Sequence, residues 1–345
     1  MTKYTYMPEV RRVFRCTVPN ENIRQVFLVD GILQEEENER NGIVLQRGTN
    51  QMGLKLHISG DHSQEPIQVI SVRNEDLPRP LEFSNRWELA PGAVAQIIVC
   101  DHTMQEYLYK TFRYSQIKVG DGAHLDILFM QNEHHRSNYR LDIDAQLNEL
   151  SGLDCHILSL YGGVIQNTLH VNMQRPGAVC NLDGLYLADG EQEVLYDITV
   201  RHDSPGCDSR QLFKGILDNH ARASFDGTIH VAPGAQKTEA YQANHNLLLT
   251  HDARITTKPQ LEIYADDVKC SHGATIGRLD ELELFYLRSR GIPLAEARML
   301  QQMAFVQDVL DRVRNDAIRS RLERMVESRL RGEFTKCSHC TMHCC

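Results

Sequence analysis

From about residue 90 to residue 278, apolar and polar side chains alternate with a period of two, as they do in strands with one face in a core. Leu125, Ile127 and Phe129 share one face of an extended run. Val194, Tyr196, Ile198 and Val200 share another, and Phe225, Gly227, Ile229 and Val231 a third. Small turn pairs separate such runs: Gly92-Ala93, Gly122-Ala123, Gly177-Ala178, Gly234-Ala235 and Gly273-Ala274. Ala235, Ala253 and Ala274 are 18 and 21 residues apart, and Asp183-Gly184 echoes Asp226-Gly227 at a spacing of 43. Many short strands, small-residue corners and a loose repeat near 20 residues predict a mostly-β fold of stacked coils, a β-solenoid. The repeat is imperfect, so a β-sandwich is the alternative that this pattern leaves open.

Residues 1–90 are less regular and read as an N-terminal region leading into a solenoid core over 91–278. Within it, Val26 to Leu33 predicts a hairpin around Asp30-Gly31, a strong turn pair. Glu35 to Arg40 reads as a solvated loop. The pattern changes again at Leu279. Asp280, with Glu283 three residues on, predicts a helix N-cap and capping box. Gly291 stops that helix, and Pro293 suits the first position of the next. Met299, Met303, Val306, Leu310 and Val313 then follow spacings of four, three, four and three, a heptad-like seam. Ile318, Leu322, Met325 and Leu330 stripe a third helix. These helices form a C-terminal helical subdomain over 279–334, with ten Arg, no Lys and ten acidic residues. The plain reading is a cap over the end of the solenoid. The sharper one is a docking surface, because Met-rich stripes rimmed by Arg suit interfaces.

The chain has 345 residues, 41% of them hydrophobic and 24% charged, with a formal charge of −9. That balance points away from nucleic acid and anionic membrane as partners. No apolar run reaches the length of a membrane span. Met1 to Cys16 has no apolar h-region, so a cytoplasmic location is expected. Of ten cysteines, six are scattered, and most of these read as small buried apolar residues. Four crowd into residues 335–345, where Cys337, Cys340, His343 and Cys344 could hold a metal or form a loose, oxidation-prone tail.

Cys270 and His272 are two residues apart in an extended run, so their side chains share a face, with Cα atoms roughly 7 Å apart. A thiolate and an imidazole together suit iron or zinc. Two donors cannot close a tetrahedral site, so the remaining ligands come from elsewhere or there is no metal. The competing account is a Cys tucked under a corner and a His bonded to a turn. Asp266-Asp267 reads as a solvated strand end or an ion pair with Lys269, and Glu133-His134-His135 as a polar turn. No P-loop, dinucleotide fingerprint, zinc-protease helix or nucleophile elbow occurs.

The stretch from Leu212 to Gly291 resembles the core domain of the SufB/SufD family, scaffold subunits of the SUF iron–sulfur cluster assembly machine. The resemblance rests on Phe213-Lys-Gly-Ile-Leu-Asp218, Ala223-Ser-Phe-Asp-Gly-Thr-Ile-His230, Gln242-Ala-Asn-His-Asn-Leu-Leu-Leu249 and Thr257 to Val268. It continues through Lys269-Cys-Ser-His-Gly-Ala-Thr-Ile-Gly277 and Leu284 to Gly291, and the Cys-Ser-His-Gly-Ala-Thr form is that of the SufD branch. It implies a right-handed parallel β-helix with C-terminal helices, and a complex with a SufB-like subunit and a SufC-like ABC-type ATPase that docks on those helices. A homodimer is a further possibility for the isolated chain. It also implies that His272, and less firmly Cys270, lies where a transient iron–sulfur cluster or iron is shared with the SufB-like partner. Two features depart from the family pattern: little chain precedes the β-helix, and the Cys-rich tail is foreign to it. The rival classes are a purely structural solenoid partner without metal and a β-helix enzyme.

Overall fold

The computed structural model describes residues 23–75, 79–104 and 107–332. The tail residues Cys337, Cys340, His343 and Cys344 lie outside these, as does Cys16. Among the described residues, twenty strands precede three helices. The first strands are β1 (Arg24–Val29), β2 (Ile32–Leu33), β3 (Asn38–Arg40), β4 (Ile43–Arg47) and β5 (Leu54–Ile58). They lead to β6 (Asp61–Arg73), β7 (Leu81–Leu89), β8 (Val94–Thr103), β9 (Lys110–Val119) and β10 (His124–Asn132). The middle of the stack is β11 (Asn138–Leu147), β12 (Gly152–Tyr161), β13 (Val164–Met173), β14 (Val179–Ala188) and β15 (Glu193–His202). It ends in β16 (Asp208–Leu217), β17 (Arg222–Val231), β18 (Glu239–Leu248), β19 (Arg254–Ile263) and β20 (Lys269–Gly277). The helices are α1 (Glu281–Ser289), α2 (Leu294–Leu310) and α3 (Asp316–Leu330).

From β6 onward successive strands alternate between two sheets, and each pairs in parallel with the strand two places along. This is a β-solenoid of about eight turns, not a sandwich of antiparallel hairpins. Each turn carries two strands, and residues paired in neighbouring turns are 26 (Asn138 and Val164) to 33 (Asp61 and Val94) apart. The 20-residue repeat read from the sequence is therefore not the period of the coil. Ala235 and Ala253 close corners before different sheets, and Ala274 lies inside β20. The Asp183-Gly184 and Asp226-Gly227 echo has a packing cause instead. A Cβ on Gly184 would sit 2.2 Å from the Phe213 ring, and one on Gly227 would sit 2.7 Å from the Phe225 ring. Each glycine makes room for a phenylalanine inside the coil, in an aromatic file of Tyr186, Tyr196, Phe213 and Phe225 with centroids 5.2–5.5 Å apart.

Corners repeat for the reason the turn pairs suggested. Gly92, Gly122, Gly177 and Gly206 take φ of 62–72°, and each precedes a buried small residue: Ala93, Ala123, Ala178 or Cys207. Their N–H groups donate to carbonyls in the corner one turn on, as from Gly92 to Asp121 at 2.8 Å and from Gly206 to Gln236 at 2.8 Å. The ladder thus passes through the corners. At the other end of the stack, Asp30 (φ 46°) and Gly31 (φ 82°) form the expected tight turn between β1 and β2.

The two sheets read differently because only one is covered. Strands β9, β11, β13 and β15 alternate buried and less buried residues, since their outer face meets water. Strands β8, β10, β12 and β14 are buried almost throughout, since helices lie on their outer face. There Ile98, Leu128, Leu158, Leu185 and Ile216 pack against Val306, Val309, Leu310, Val313, Ile318, Leu322 and Met325. The helices lie along the side of the solenoid and do not cap its end. The heptad-like seam is what holds them there: Met299, Val306, Leu310 and Val313 are buried and Met303 is half-buried. The N-cap is as expected, with Asp280 Oδ1 accepting from Leu282 and Glu283, while Pro293 precedes the first residue of α2. Charged pairs pin the helices at several points, among them Arg314 with Asp154 at 2.5 Å. Lys214 donates to the Phe305 carbonyl and pairs with Asp308, Arg312 donates to Asp183, and Arg329 forks onto Asp189 and reaches the Leu160 carbonyl.

A charged cluster missed in the sequence is sealed inside the early turns. Arg113 donates to Ser71, Tyr139 and Asp101, and Tyr139 donates to Asp101 at 2.6 Å. Arg73 donates to Thr111, whose hydroxyl donates to Glu133 at 3.1 Å. Glu133, read as part of a polar turn, is thus buried within the stack. Burial pushes its carboxyl up to about 7, with Asp101 adding to the rise and Arg73 opposing it. Between pH 4.5 and 7 the folded chain then holds a proton that the unfolded chain has lost, so this group's stabilising contribution falls as pH rises. Denaturant unfolding at pH 5 and pH 7.5 tests this: Glu133→Gln should flatten the pH dependence, the difference being at most on the order of 3 kcal/mol. An equally steep dependence in the variant would overturn the assignment.

Candidate functional site

Each turn of the stack satisfies its backbone and covers its interior only through the next turn. Strand β20 ends one sheet and β19 ends the other, so among the described residues both have one free edge. Residues 269–278 are exposed apart from a half-buried Cys270, and Tyr264 (60% exposed) and Ile276 (50%) stand at the same end.

The register determines which way the two candidate ligands face. Cys270 continues the row of Leu153, Cys180, Ser209 and Ala240; His272 continues that of Cys155, Leu182, Gln211 and Gln242. Both rows line the interior, so Cys270 and His272 share the inward face of the last coil, at its mouth. Cys270 packs against the small buried cluster of Ile229, Val231, Ala235, Ala240 and Ala265. Burial pushes its thiol up, with the Ala240 backbone opposing, so the thiolate is scarce at neutral pH. Lys269 points outward and pairs with Glu239 at 2.8 Å, so its charge serves another partner. Asp267 pairs with Lys237 of the preceding turn, not with Lys269, because Asp266 and Asp267 lie in the corner bend before β20.

The interior beneath these residues turns polar. In β18 the inward positions after Ala240 are Gln242, Asn244 and Asn246, all buried. Tyr186 donates to Asn246, Asn246 donates to Asn244 at 2.8 Å, and Asn244 donates to the Tyr186 hydroxyl at 3.1 Å. The sequence carried a signal for this: in Gln242-Ala-Asn-His-Asn246 the polar residues occupy the phase that is apolar in earlier strands.

The donor set at the mouth suits a soft metal or an iron–sulfur fragment, but only in part. It offers one thiol and one imidazole, and among the described residues no three His, Cys, Asp or Glu side chains converge into a metal-holding group. Further donors must come from outside these residues. Cys100, Cys155, Cys180 and Cys207 are buried, as expected of structural thiols.

A second exposed feature sits on the helices. The sequence reading put ATPase docking on Met299, Met303, Val306, Leu310 and Val313. Val306, Leu310 and Val313 are buried against the sheet with Met303 half-buried beside them, and Met299 is buried too, because that seam fastens the helices. The apolar residues that do face solvent are Leu282 (80% exposed), Phe285 (73%) and Tyr286 (56%) on α1, with Leu294 and Leu300 on α2.

Residues 88–305 match the family described as the SUF system FeS cluster assembly, SufBD core domain. The Escherichia coli iron–sulfur cluster assembly protein SufD is 33% identical over 94% of this chain and 83% of its own length. A Synechocystis iron–sulfur cluster assembly SufBD family protein is 33% identical over 77% of this chain and 61% of its own. The Bacillus subtilis SufD is 29% identical over 49% of this chain and 38% of its own. No helix among the described residues is long and apolar enough to cross a membrane.

Alkylation of the native chain followed by peptide mass mapping should find Cys270 modified and Cys100, Cys155, Cys180 and Cys207 protected. The rate at Cys270 should rise roughly tenfold per pH unit below its raised pKa, as thiolate chemistry requires. Equal labelling of all five would contradict the packing described.

Proposed function

This chain belongs to the SufBD family of the SUF iron–sulfur cluster assembly system, and from that premise we propose that it is a non-catalytic scaffold subunit of a SufBCD-type complex. It completes, with a SufB-like partner, a site where nascent clusters form. The observation that carries this reading is the open mouth of the stack. Two strand edges with unpaired backbone groups and an accessible imidazole–thiol pair meet there, and the pair lacks enough donors of its own. A second chain that extends the sheets would satisfy the edges. It would also bring the missing sulfur or carboxylate ligands to His272 and Cys270.

The cluster, or iron on its way into one, is cargo held in passing. An imidazole donor is neutral where a thiolate is charged, which raises a cluster's reduction potential and weakens its charge attraction to the site. Such a ligand suits a scaffold that must let its product go. Energy comes from a SufC-like ABC-type ATPase docked on the helical subdomain. The exposed apolar residues of α1 offer such a partner more surface than the buried seam of α2. Nucleotide-driven movement of the helices would then bias the interface between closed and open arrangements. The ion pairs from Lys214, Arg312 and Arg329 are where that movement would be felt by the sheet. The complex works in the cytoplasm, and the isolated chain would pair with a second copy through the same strand edges.

His272→Ala in the assembled complex should cut cluster accumulation, followed by optical absorption under anaerobic conditions, by about tenfold or more, as expected for loss of a ligand. Undiminished accumulation would sink the reading and favour a purely structural subunit. A cross-link between cysteines placed at Asp183 and Arg312, which locks α2 to the sheet, should arrest assembly while leaving the three subunits associated. Normal assembly in the locked complex would remove the proposed movement.

A further inference from the structure

Metal-binding histidines commonly donate their second ring N–H to an acceptor that sets the tautomer and aims the free nitrogen. No such acceptor for His272 was evident from the sequence. The structure offers one in the row directly beneath it. Gln242 is paired in register with His272, one strand spacing away, about 4.8 Å. Its side chain is almost wholly buried, at 3% exposed. Its Nε2 donates to Gln211 Oε1 at 2.9 Å, in the turn on the far side from His272. Its Oε1 is buried and has no hydrogen-bond partner. A buried carbonyl left without a donor is destabilising.

Two observations make this oxygen a built feature rather than a loose end. First, the amide fills a space that only a glycine leaves open. It lies over Gly227, where a Cβ would come within 2.5 Å of Gln242 Nε2 and 2.9 Å of its Cδ. Second, the neighbouring polar groups are already matched to one another. Tyr186, Asn244 and Asn246 bond to one another and to the Phe213 and Thr275 carbonyls, so none of them is left to serve Gln242. With the nitrogen committed to the turn before, the amide oxygen is the group left to serve the last turn.

We infer that Gln242 is the positioning residue for His272: its amide oxygen accepts one imidazole N–H, holds the ring as a single neutral tautomer and leaves the other nitrogen unprotonated at the mouth of the stack. This rests on the reading of His272 as a cluster or iron ligand. A carboxamide suits the task because it accepts a hydrogen bond without adding charge. A carboxylate there would hold the ring as a cation and block its lone pair.

The test uses the full chain with 15N-labelled histidine and needs no cluster. Ring 15N shifts of His272, assigned with His272→Gln, report the tautomer ratio at pH 8. One tautomer should exceed the other by about fivefold or more, the bias that a single net hydrogen bond supplies. Gln242→Leu should bring the ratio back to that of a solvent-exposed histidine. Gln242→Glu should instead give the 15N signature of an imidazolium, with both ring nitrogens protonated, which a merely structural role would not produce. Thr257→Val removes the other unpartnered buried oxygen among the inward residues of the last turn and should change nothing. An unaltered ratio in Gln242→Leu, or a shift in Thr257→Val instead, would overturn the assignment. The two ideas fail separately: the tautomer result judges Gln242, and cluster yield in His272→Ala judges the ligand role.

Discussion

The whole structure follows from one constraint: in a parallel stack, no turn is complete until another lies on it. The ladder hydrogen bonds, the corner bonds and the burial of inward side chains all run from turn to turn. A terminal turn therefore leaves two strand edges and one layer of interior unsatisfied. Natural proteins usually blunt such edges with charge, bulges or a covering element. Here the helices that could have done so lie along the side of the stack, and Gly273, Ala274 and Thr275 leave the edge flat and unguarded. The unsatisfied end is where the candidate ligands lie.

The interior is graded to match. Early turns contain a sealed ionic cluster around Arg113 and Asp101, which is costly to bury and tolerable only because nearly every charge has a partner. The middle turns are mostly aliphatic and aromatic, with one hydrogen-bonded group of Gln131, Ser159, Asn167 and Tyr196 among them. Towards the mouth, the inward rows pass through Gln211, Gln242, Asn244 and Asn246 before reaching His272. An apolar wall ending in a lone imidazole would leave the ring free to rotate. A wall ending in fixed amides can orient it, and for a ligand shared between two chains the direction of a lone pair matters as much as its presence.

The helical subdomain shows the same economy. Its most regular sequence feature, the seam from Met299 to Val313, is spent on holding α2 to the sheet. Its most exposed apolar residues, Leu282, Phe285 and Tyr286, sit on α1, whose pattern is less regular. The Lys214, Arg312 and Arg329 contacts join helices and sheet through groups of opposite charge at their margin. Such contacts depend on geometry more than packing does, and a change of helix position would be transmitted through them.

What the sequence determined by itself was local. Alternation within β10, β15 and β17, the Asp30-Gly31 turn, the glycine corners and the Asp280 cap follow from side-chain periodicity and backbone preference over a few residues. The sharing of a face by Cys270 and His272 follows too, because a strand has a period of two whatever surrounds it. The coil period did not, since it depends on which distant strands pair, and small residues half a turn apart imitate a shorter repeat. Nor did the place of the helices or the charged interior. An amphipathic stripe says that something is covered without saying what, and a buried arginine reads as an exposed one until its carboxylate arrives from another turn. Only the stacked structure decided that the face shared by Cys270 and His272 is the inward one, and that no further turn closes over it among the described residues. Register is a property of pairs of strands, and no single segment carries it.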